Sequence, residues 1–367
     1  MAQEKVVRFG ILGCAAIATK LARAIGMTPN SSHYYTEGLS VYAVASRSVD
    51  KANAFASANN LPPEVKTYGN YEQLLDDPFV DAVYIPLPTW LHLEWALKAA
   101  HKKKHILLEK PPALCVEDLD TIIEACNNNG VQFMDGTMWI HHPRTPKMKA
   151  FLQNPDLFGD LRFVHCTFTL ALSGKFFEED IRVKPDLDGL GALGDVGWYC
   201  IRAILWANDY EMPQSVIAHP GPVLNEGGVI TSCGATLSWQ DGRVATFHCS
   251  FHSCLTMDLS VHGSKGILNL HDFAMPYEES SASFFSSTNN KLWEMNTVWG
   301  PRPSEHRVTA EFPQETFMVQ EFVRLVKGIQ DSGGKPDSQW PSISRKTQIV
   351  LNAVKTSIQE GLISVTL

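Results

Sequence analysis

The chain has 367 residues, 44% of them hydrophobic and 19% charged, with a formal net charge of -8 at pH 7. This length is too great for one ordinary hydrophobic core, so we expect two domains. The charge is spread along the chain without a basic stripe, which argues against nucleic acid as a partner. The sequence has no apolar stretch long enough to span a bilayer, which argues against a membrane protein.

Eight cysteines occur without a CxxC pair, and the N-terminus lacks the apolar core of a secretory leader. Residues 364–367 match no C-terminal address signal. Together these features predict reduced thiols and a cytoplasmic protein.

The first part of the chain alternates apolar strands with helices. Continuous apolar strands of this kind are typical of a parallel sheet covered on both faces. We therefore predict a doubly wound, dinucleotide-binding Rossmann domain over residues 1–135. The main predicted strands are residues 6–12, 41–46, 81–88, 105–111 and 131–136.

From about residue 136 polar and apolar residues alternate, as in half-buried antiparallel strands. The pattern predicts an α+β domain with a large open, mostly antiparallel sheet over residues 136–367. Residues 280–303 are rich in Ser and Asn and are expected to loop out. Helical patterns close the chain, and the last, about residues 343–360, is expected to pack back near the first domain.

A dinucleotide-binding fingerprint follows the first strand as GCAAIA, residues 13–18. In the usual fingerprint one glycine makes the tight turn, a second admits the pyrophosphate, and a third allows helix to pack on strand. Here alanine replaces the second and third glycines, at Ala15 and Ala18. The pattern alone is weak, since a simple strand-turn-helix explains it almost as well, but its place in the first βα unit supports cofactor binding.

The end of the second strand distinguishes NAD from NADP, because an acid there binds the ribose 2′-hydroxyl whereas cations accept a 2′-phosphate. The sequence has Ser46, Arg47 and then Lys51, with no acid before Asp50. This favours NADP, although a solvated surface arginine would look the same. An insert at residues 28–38 lengthens the loop before this strand.

Three consecutive strand ends carry Pro86 with Leu87, Glu109 with Lys110, and Asp135 with Gly136. Ligands of doubly wound sheets bind beyond the carboxyl ends of the strands. A lysine placed there can exchange a proton with a substrate hydroxyl or carbonyl. The alternative is a structural lysine that pairs with Glu109.

A second group of residues lies in the glycine-rich stretch 189–206, where Asp195 and Tyr199 are spaced i and i+4 on a predicted helix. A phenol near a cation can serve as a general acid, and a carboxylate can orient a lysine or a sugar hydroxyl. Both residues could instead be ordinary hydrogen-bonded structural groups.

Residues 247–254 could suggest a metal site, because His248, His252 and Cys254 share a face if the segment is one strand. At about 3.3 Å per residue the two histidines would be roughly 13 Å apart, too far to bind one ion. We therefore predict no metal.

Taken in order, these motifs resemble the glucose-fructose oxidoreductase / inositol dehydrogenase / MocA (Gfo/Idh/MocA) family over almost the whole chain. The most specific motif is the EKP triplet, residues 109–111, and the fingerprint is the least specific. The stretches GILGCAAIATK, MDGTMWIHHPR and PSISRKTQIVLNAVKTSI look most like the dimeric dihydrodiol dehydrogenase and NADP-dependent D-xylose 1-dehydrogenase branch, in particular its plant members.

The resemblance implies a nicotinamide cofactor, a small-molecule substrate and a homodimer formed through the C-terminal sheet. It also implies that Lys110, Asp195 and Tyr199 are catalytic, that His92 lies near the nicotinamide, and that Trp139, Asp195 and Tyr199 bind substrate. The chain departs from many relatives at Ala15, which puts cofactor affinity in question. The predicted cofactor-binding residues are Gly13, Ala15, Ala16, Ile17, Ser46, Arg47, Lys51, Pro86, Leu87, His92, Glu109 and Lys110.

These observations predict an NADP-dependent dehydrogenase or reductase that acts on a sugar, polyol or cyclic diol. Either Tyr199 or Lys110 would transfer the proton, and the sequence does not decide between them. Two alternatives have the same fold: a catalytically silent NADP-binding regulator, and a dimeric scaffold that binds no cofactor.

Overall fold

The computed structural model describes residues 6–26, 38–288 and 302–367. It divides into two compact units, one formed by Met1–His141 with Glu311–Arg345 and the other by His142–Ala310 with Lys346–Leu367. The predicted insert at residues 28–38 lies, except for Gly38, outside the described residues.

The first unit begins with alternating strands and helices, as the sequence pattern predicts. Its elements up to residue 135 are β1 (Val7–Leu12), α1 (Ala16–Gly26), β2 (Leu39–Ala45), α2 (Val49–Ala58), β3 (Lys66–Tyr68), α3 (Tyr71–Asp76), β4 (Ala82–Ile85), α4 (His92–His101), β5 (His105–Leu108), α5 (Val116–Asn129) and β6 (Phe133–Asp135).

The six described strands of this unit form one parallel sheet in the order β3-β2-β1-β4-β5-β6. Every residue of the central strands β4 and β5 is buried, which explains why their sequences are apolar throughout. Helix α5 ends at Gly130, whose φ of 66° suits glycine at a helix C-terminus. The predicted Rossmann fold is confirmed.

The second unit is built on a larger sheet. Its elements are α6 (Arg144–Leu152), β7 (Leu161–Ala171), α7 (Gly174–Glu179), α8 (Trp198–Ala207), β8 (Ser215–Ala218), β9 (Val223–Leu224), β10 (Ile230–Ser238), β11 (Val244–Ser250), β12 (His252–Gly263), β13 (Gly266–Leu270), β14 (Ser281–Thr288), β15 (Ser304–Thr309) and β16 (Val365–Thr366).

Within the described ranges this sheet has ten strands, nine of them in the order β15-β14-β13-β12-β7-β11-β10-β8-β16, with β9 paired to β10. All pairings are antiparallel except that of β7 with β11. One face is buried, for example at Cys166 and Phe168 of β7, and the fully buried helix α8 packs against it. The predicted open, mostly antiparallel sheet is confirmed.

Two long helices lie between β15 and β16: α9 (Gln314–Ser332) and α10 (Gln339–Gln359). Helix α9 belongs to the first unit, where Phe322 packs on Phe9 of β1 with ring centroids 5.7 Å apart. The first residues of α10 belong to that unit too, and Arg345 pairs with Asp120 at 2.6 Å.

The prediction that residues 280–303 loop out is wrong for the first part of that range, where β14 pairs antiparallel with β15. Serine alternates with buried Ala282 and Phe284 in β14, so the serine-rich composition conceals a strand that pairs on both sides. Residues 289–301 lie outside the described residues.

The assumption that His248 and His252 share one strand is also wrong. The chain turns at Phe251 around the end of β7, so that His248 lies on β11 and His252 on β12, on opposite sides of β7. The Phe251 carbonyl accepts a hydrogen bond of 3.1 Å from the Leu172 amide, which fixes this turn.

Candidate active site

The turn after β1 has the geometry expected of a dinucleotide-binding loop. Gly13 has φ +117°, and a Cβ there would lie 2.9 Å from Cδ2 of Leu87, so the position requires glycine. The Gly13 amide donates to the Ala45 carbonyl at 2.9 Å, which ties this turn to the end of β2.

Helix α1 begins directly after the turn, at Ala16. The first amides of a helix have no partner within the helix and favour an anion such as a pyrophosphate. The side chains of Ala16 and Ile17 are exposed and that of Ala15 is half-buried, so small residues leave this helix end accessible. The backbone amides at the start of α1 therefore fit a dinucleotide phosphate, although alanine replaces glycine at position 15.

Cations lie at the end of β2, beside the loop after β1. Ser46 is buried and hydrogen-bonds the Cys14 thiol, and the charge of Lys51 acts on the same thiol. Burial nevertheless raises the pKa of Cys14 above its ordinary value. Arg47 is exposed and its charge acts on Tyr71. The structure thus places Arg47 and Lys51 at the end of β2, and their role in binding a ribose 2′-phosphate stays a prediction.

His92 connects the loops that follow β4 and β5. Its Nε2 lies 2.8 Å from the Leu87 carbonyl oxygen and its Nδ1 lies 3.3 Å from that of Pro112. Burial lowers the pKa of His92 to about 4, so the ring is neutral and donates to only one carbonyl. Pro86 and Leu87 are buried beside it. In this position His92 holds the two strand ends together.

Glu109 and Lys110 follow the end of β5. The Tyr84 hydroxyl donates to Oε1 of Glu109, and the Lys110 amide donates to Oε2 at 3.1 Å. Burial raises the pKa of Glu109, against the effects of Tyr84 and of the Lys110 charge. A Cβ at Gly136 would lie 3.1 Å from Oε1 of Glu109, so glycine makes room for this carboxylate. Glu109 thus has internal partners of its own, and Lys110 is half-buried at the strand end.

Trp139, the predicted substrate-binding residue of this unit, lies in a short 3-10 turn, Met138–His141. Its side chain is only 1% exposed, and the turn packs against α9. His141 of the same turn contacts the Trp340 ring at 4.7 Å. The structure therefore places Trp139 in the packing of the first unit, and a role in binding substrate stays a prediction.

Asp195 and Tyr199 lie where a π-helical turn, Leu193–Gly197, continues into α8. Such turns are often found at functional sites. Gly191, just before it, has φ +56°, and a Cβ there would lie 2.0 Å from the Ile230 carbonyl oxygen. Tyr199 is 6% exposed and its ring lies 5.7 Å from that of Phe168.

Arg182 is a site residue that the sequence pattern did not reveal. Its Nε lies 3.2 Å from Oδ2 of Asp195, and Nη1 lies 3.2 Å from Oδ1 of Asp180. The charge of Asp195 raises the pKa of Arg182 above its ordinary value, and Asp180 adds to the effect. The Asp180 side chain also accepts from the Arg182 amide at 2.9 Å, which fixes the backbone. Asp195 thus faces a permanent cation.

Among the described residues, no group of three or more His, Cys, Asp or Glu side chains could hold a metal ion. None of the described helices is long and apolar enough to cross a membrane.

The parallel six-stranded sheet and the glycine turn after β1 define the class of dinucleotide-binding Rossmann domains. Residues 7–137 match the model of an oxidoreductase family with an NAD-binding Rossmann fold, and residues 147–269 match the C-terminal domain of the same family. The chain belongs to the Gfo/Idh/MocA family.

Individual relatives agree with this assignment. The chain is 33% identical over 304 residues to D-xylose 1-dehydrogenase (NADP(+)) 2 from Haloferax volcanii, covering 83% of this chain and 87% of that one. It is 28% identical over 263 residues to trans-1,2-dihydrobenzene-1,2-diol dehydrogenase from Xenopus tropicalis, covering 72% and 74%. The structure resembles KijD10, a 3-ketoreductase from Actinomadura kijaniata in complex with NADP and TDP-benzene, with TM-score 0.78, 25% identity and coverage of 96% and 98%.

Proposed function

We propose that the protein is an NADP-dependent oxidoreductase that moves a hydride between nicotinamide and a hydroxyl or carbonyl carbon of a sugar, polyol or cyclic diol. The observation that carries this proposal is Lys110 at the carboxyl end of β5, where ligands of such sheets bind. The relatives named for D-xylose and dihydrodiol oxidation support this class of substrate.

The cofactor preference rests on the end of β2. Arg47 and Lys51 supply the cations that a 2′-phosphate requires, and no carboxylate lies between the end of β2 and Asp50. Gly13, Ala15, Ala16 and Ile17 would hold the pyrophosphate at the start of α1. The other proposed cofactor-binding residues are Ser46, Pro86, Leu87, His92, Glu109 and Lys110.

The bound nicotinamide would supply or accept the hydride. The residues of the chain handle the proton that the substrate hydroxyl loses on oxidation or gains on reduction. Lys110 and Tyr199 are the two candidates for that transfer. Asp195 would orient the reacting group, and Arg182 positions Asp195 by pairing with its carboxylate.

We further propose that the protein belongs to the branch of dimeric dihydrodiol dehydrogenase and NADP-dependent D-xylose 1-dehydrogenase. Its assignment to the plant members of that branch stays a prediction. A homodimer through the sheet of the second unit, a role of Trp139 in binding substrate, and a cytoplasmic location stay predictions as well.

The experiment that tests the proposed function measures cofactor binding first and turnover second. Protein fluorescence and thermal shift with NADPH and NADH would precede a panel of aldoses, polyols and dihydrodiols, monitored by nicotinamide absorbance. We expect NADPH to bind more tightly than NADH and at least one panel member to be oxidised. Binding without any turnover would favour the silent regulator, and no binding of either nucleotide would favour the scaffold.

A further inference from the structure

Trp90 is an exposed tryptophan at the carboxyl end of β4. It belongs to a short 3-10 turn, Thr89–Leu91, between this strand and helix α4. Among the tryptophans that the structure describes, Trp90 is the most exposed, at 46%. Trp95 of α4 is buried and packs edge-on against Tyr71, with ring centroids 4.8 Å apart. An indole is large and mostly apolar, so leaving nearly half of it in water has a cost that a bound ligand would remove.

The turn that holds Trp90 is fixed at both ends. Thr89 and His92 are buried, with exposures of 5% and 1%. The Leu91 amide donates to the Pro88 carbonyl at 2.9 Å, and the His92 amide donates to the Thr89 carbonyl. The exposure of Trp90 is therefore a property of an ordered turn whose neighbouring residues are held in place.

The loop that carries Trp90 lies between two parts of the candidate active site. In the sheet, β4 is between β1 and β5, so the loop after β4 is between the loops that follow those strands. A Cβ at Gly13 would lie 2.9 Å from Leu87 of this loop. The His92 ring, at its other end, lies 3.3 Å from the Pro112 carbonyl of the loop after β5. Trp90 thus projects from a loop that contacts both the predicted pyrophosphate turn and the segment that follows the strand-end lysine.

A second exposed aromatic residue, Phe79, precedes β4 at the opposite end of the strand. It is 53% exposed, and two cations of the chain lie against its ring. The guanidinium carbon of Arg8 is 5.4 Å from the ring centroid, and Nζ of Lys66 is 5.6 Å from it. Phe79 is therefore stabilised by cation–π contacts within the chain. It lies at the amino end of the sheet, away from the edge where ligands of such sheets bind.

We propose that the Trp90 indole is a platform on which the ring of a cyclic substrate lies, so that the protein prefers pyranose sugars and cyclic diols to open-chain polyols. This inference rests on the proposed function and narrows its substrate class. A pyranose or a cyclic diol presents C–H groups on one face of its ring, and an indole face covers such a surface well. The hydroxyls at the ring edge remain available to polar groups. An open-chain polyol has no continuous apolar face of this kind.

The buried and the exposed parts of the loop suit different ligands. Pro86 and Leu87 are buried next to Gly13, where a dinucleotide would bind. Trp90 lies further along the chain, at the solvent-facing start of α4, and so meets a ligand that arrives from solvent after the cofactor. Covering the indole releases water before any proton is transferred. The Trp90 contact should therefore act on KM more than on kcat.

The first test compares Trp90→Ala and Trp90→Phe with the parent on D-xylose, on xylitol and on the trans-dihydrodiol of benzene. We expect Trp90→Ala to raise KM for the two ring compounds about tenfold to a hundredfold, with kcat and KM for NADP changed by about twofold at most. Trp90→Phe keeps an aromatic face and should retain most of the affinity. The constants for xylitol should not change. Phe79→Ala, at the other end of the strand, is the matched control and should behave like the parent.

The second test measures binding without turnover. Titrating the NADP-bound parent with each ring compound should change its tryptophan fluorescence, and the change should disappear in Trp90→Phe, which still binds the compound. A Trp90-dependent change without turnover would support the platform and contradict the proposed function.

Three results would overturn the platform. The first is an unchanged KM for ring compounds in Trp90→Ala, and the second is a parent that binds only open-chain polyols. Either result leaves the proposed function intact if the parent turns over its substrates. The third is a rise in KM for NADP as large as that for the ring compounds, because Trp90 would then cover the cofactor.

Discussion

Arg182 Nε and Asp195 Oδ2 lie 3.2 Å apart, and Asp180 holds the same guanidinium from its other side. Asp195 lies within the π-helical turn, one helical turn before Tyr199. Arg182 lies earlier in the chain, in the 3-10 turn Ile181–Val183. The ion pair therefore makes the orientation of the Asp195 carboxylate, a candidate contact to substrate, depend on a segment that holds none of the candidate catalytic groups.

Removing this partner should impair catalysis more than folding. We expect Arg182→Gln to lower kcat/KM about tenfold to a hundredfold, because a hydrogen bond to a charged group is lost. Arg182→Lys keeps the charge and should restore part of the loss. Arg162 pairs with Asp160 at 3.0 Å in the same i, i-2 arrangement on the surface, so Arg162→Gln is the matched control. Equal effects of the two glutamine variants would contradict the assignment.

Lys110→Ala should lower kcat by about a thousandfold or more, because the lysine is a candidate for the proton transfer. The protein should stay folded, with a melting temperature close to that of the parent. Tyr199→Phe, measured in parallel, shows which of the two groups transfers the proton. Lys102→Ala, at an exposed lysine paired with Asp76, is the control. Activity of Lys110→Ala within about tenfold of the parent would remove the lysine from the mechanism.

Arg47→Ala tests the cofactor preference. Loss of the cation should raise KM for NADP about tenfold while leaving KM for NAD nearly unchanged, because only NADP has a 2′-phosphate. The steady-state constants for both nucleotides are the measurement. Lys98, an exposed cation of α4 that pairs with Glu94 at 2.6 Å, provides the control Lys98→Ala. Equal changes for NADP and NAD would be inconsistent with a 2′-phosphate site at Arg47.

His105 should make the protein less stable in acid. Its Nδ1 accepts from the Gln132 amide at 3.0 Å, and burial lowers the pKa of His105 to about 4. An unfolded histidine binds its proton near pH 6.5, so between these values the unfolded chain holds more protons. The free energy of unfolding should therefore fall as pH decreases through this window, by about 3 kcal/mol at most from this residue.

Urea denaturation at about pH 7 and pH 4.5 measures this effect. His105→Asn retains a hydrogen-bond acceptor without a titrating ring and should show a smaller loss in acid than the parent. The exposed His101 provides the control His101→Asn. The same pH dependence in His105→Asn and the parent would mean that His105 titrates normally.

Gly191→Ala should destabilise the second unit by about 2–4 kcal/mol, since it combines a positive φ with overpacking. The added Cβ would lie 2.0 Å from the Ile230 carbonyl oxygen. Gly242 also has a positive φ, of 88°, but a Cβ there meets no described atom within 4 Å. Gly242→Ala should therefore cost only about 1–2 kcal/mol in chemical denaturation. Similar losses for the two variants would refute the close approach at Gly191.

Much of the fold could be predicted because burial leaves a clear sequence pattern. The fully buried strands β4 and β5 are continuous apolar runs, and the sharp turn at Gly13 follows from the position of a single glycine. The same pattern places Lys110 at a strand end.

Features that depend on distant parts of the chain could not be predicted. The turn at Phe251 contains neither Gly nor Pro and arises because the chain rounds the end of β7. The pairing of Arg182 with Asp195 joins residues of different segments, so no local spacing reveals it. Serines at alternate positions hid β14, because a serine-rich composition is typical of a loop and also occurs on the half-exposed face of a strand.

The π-helical turn Leu193–Gly197 has a consequence for how this family can diversify. Such a turn holds one residue more than the α-helical turn that it replaces. Deleting one residue within it would restore a regular helix and rotate everything before the deletion by about 100° relative to Tyr199. The deletion of a single codon could therefore change the direction of the Asp195 carboxylate relative to the Tyr199 phenol, although both side chains are kept.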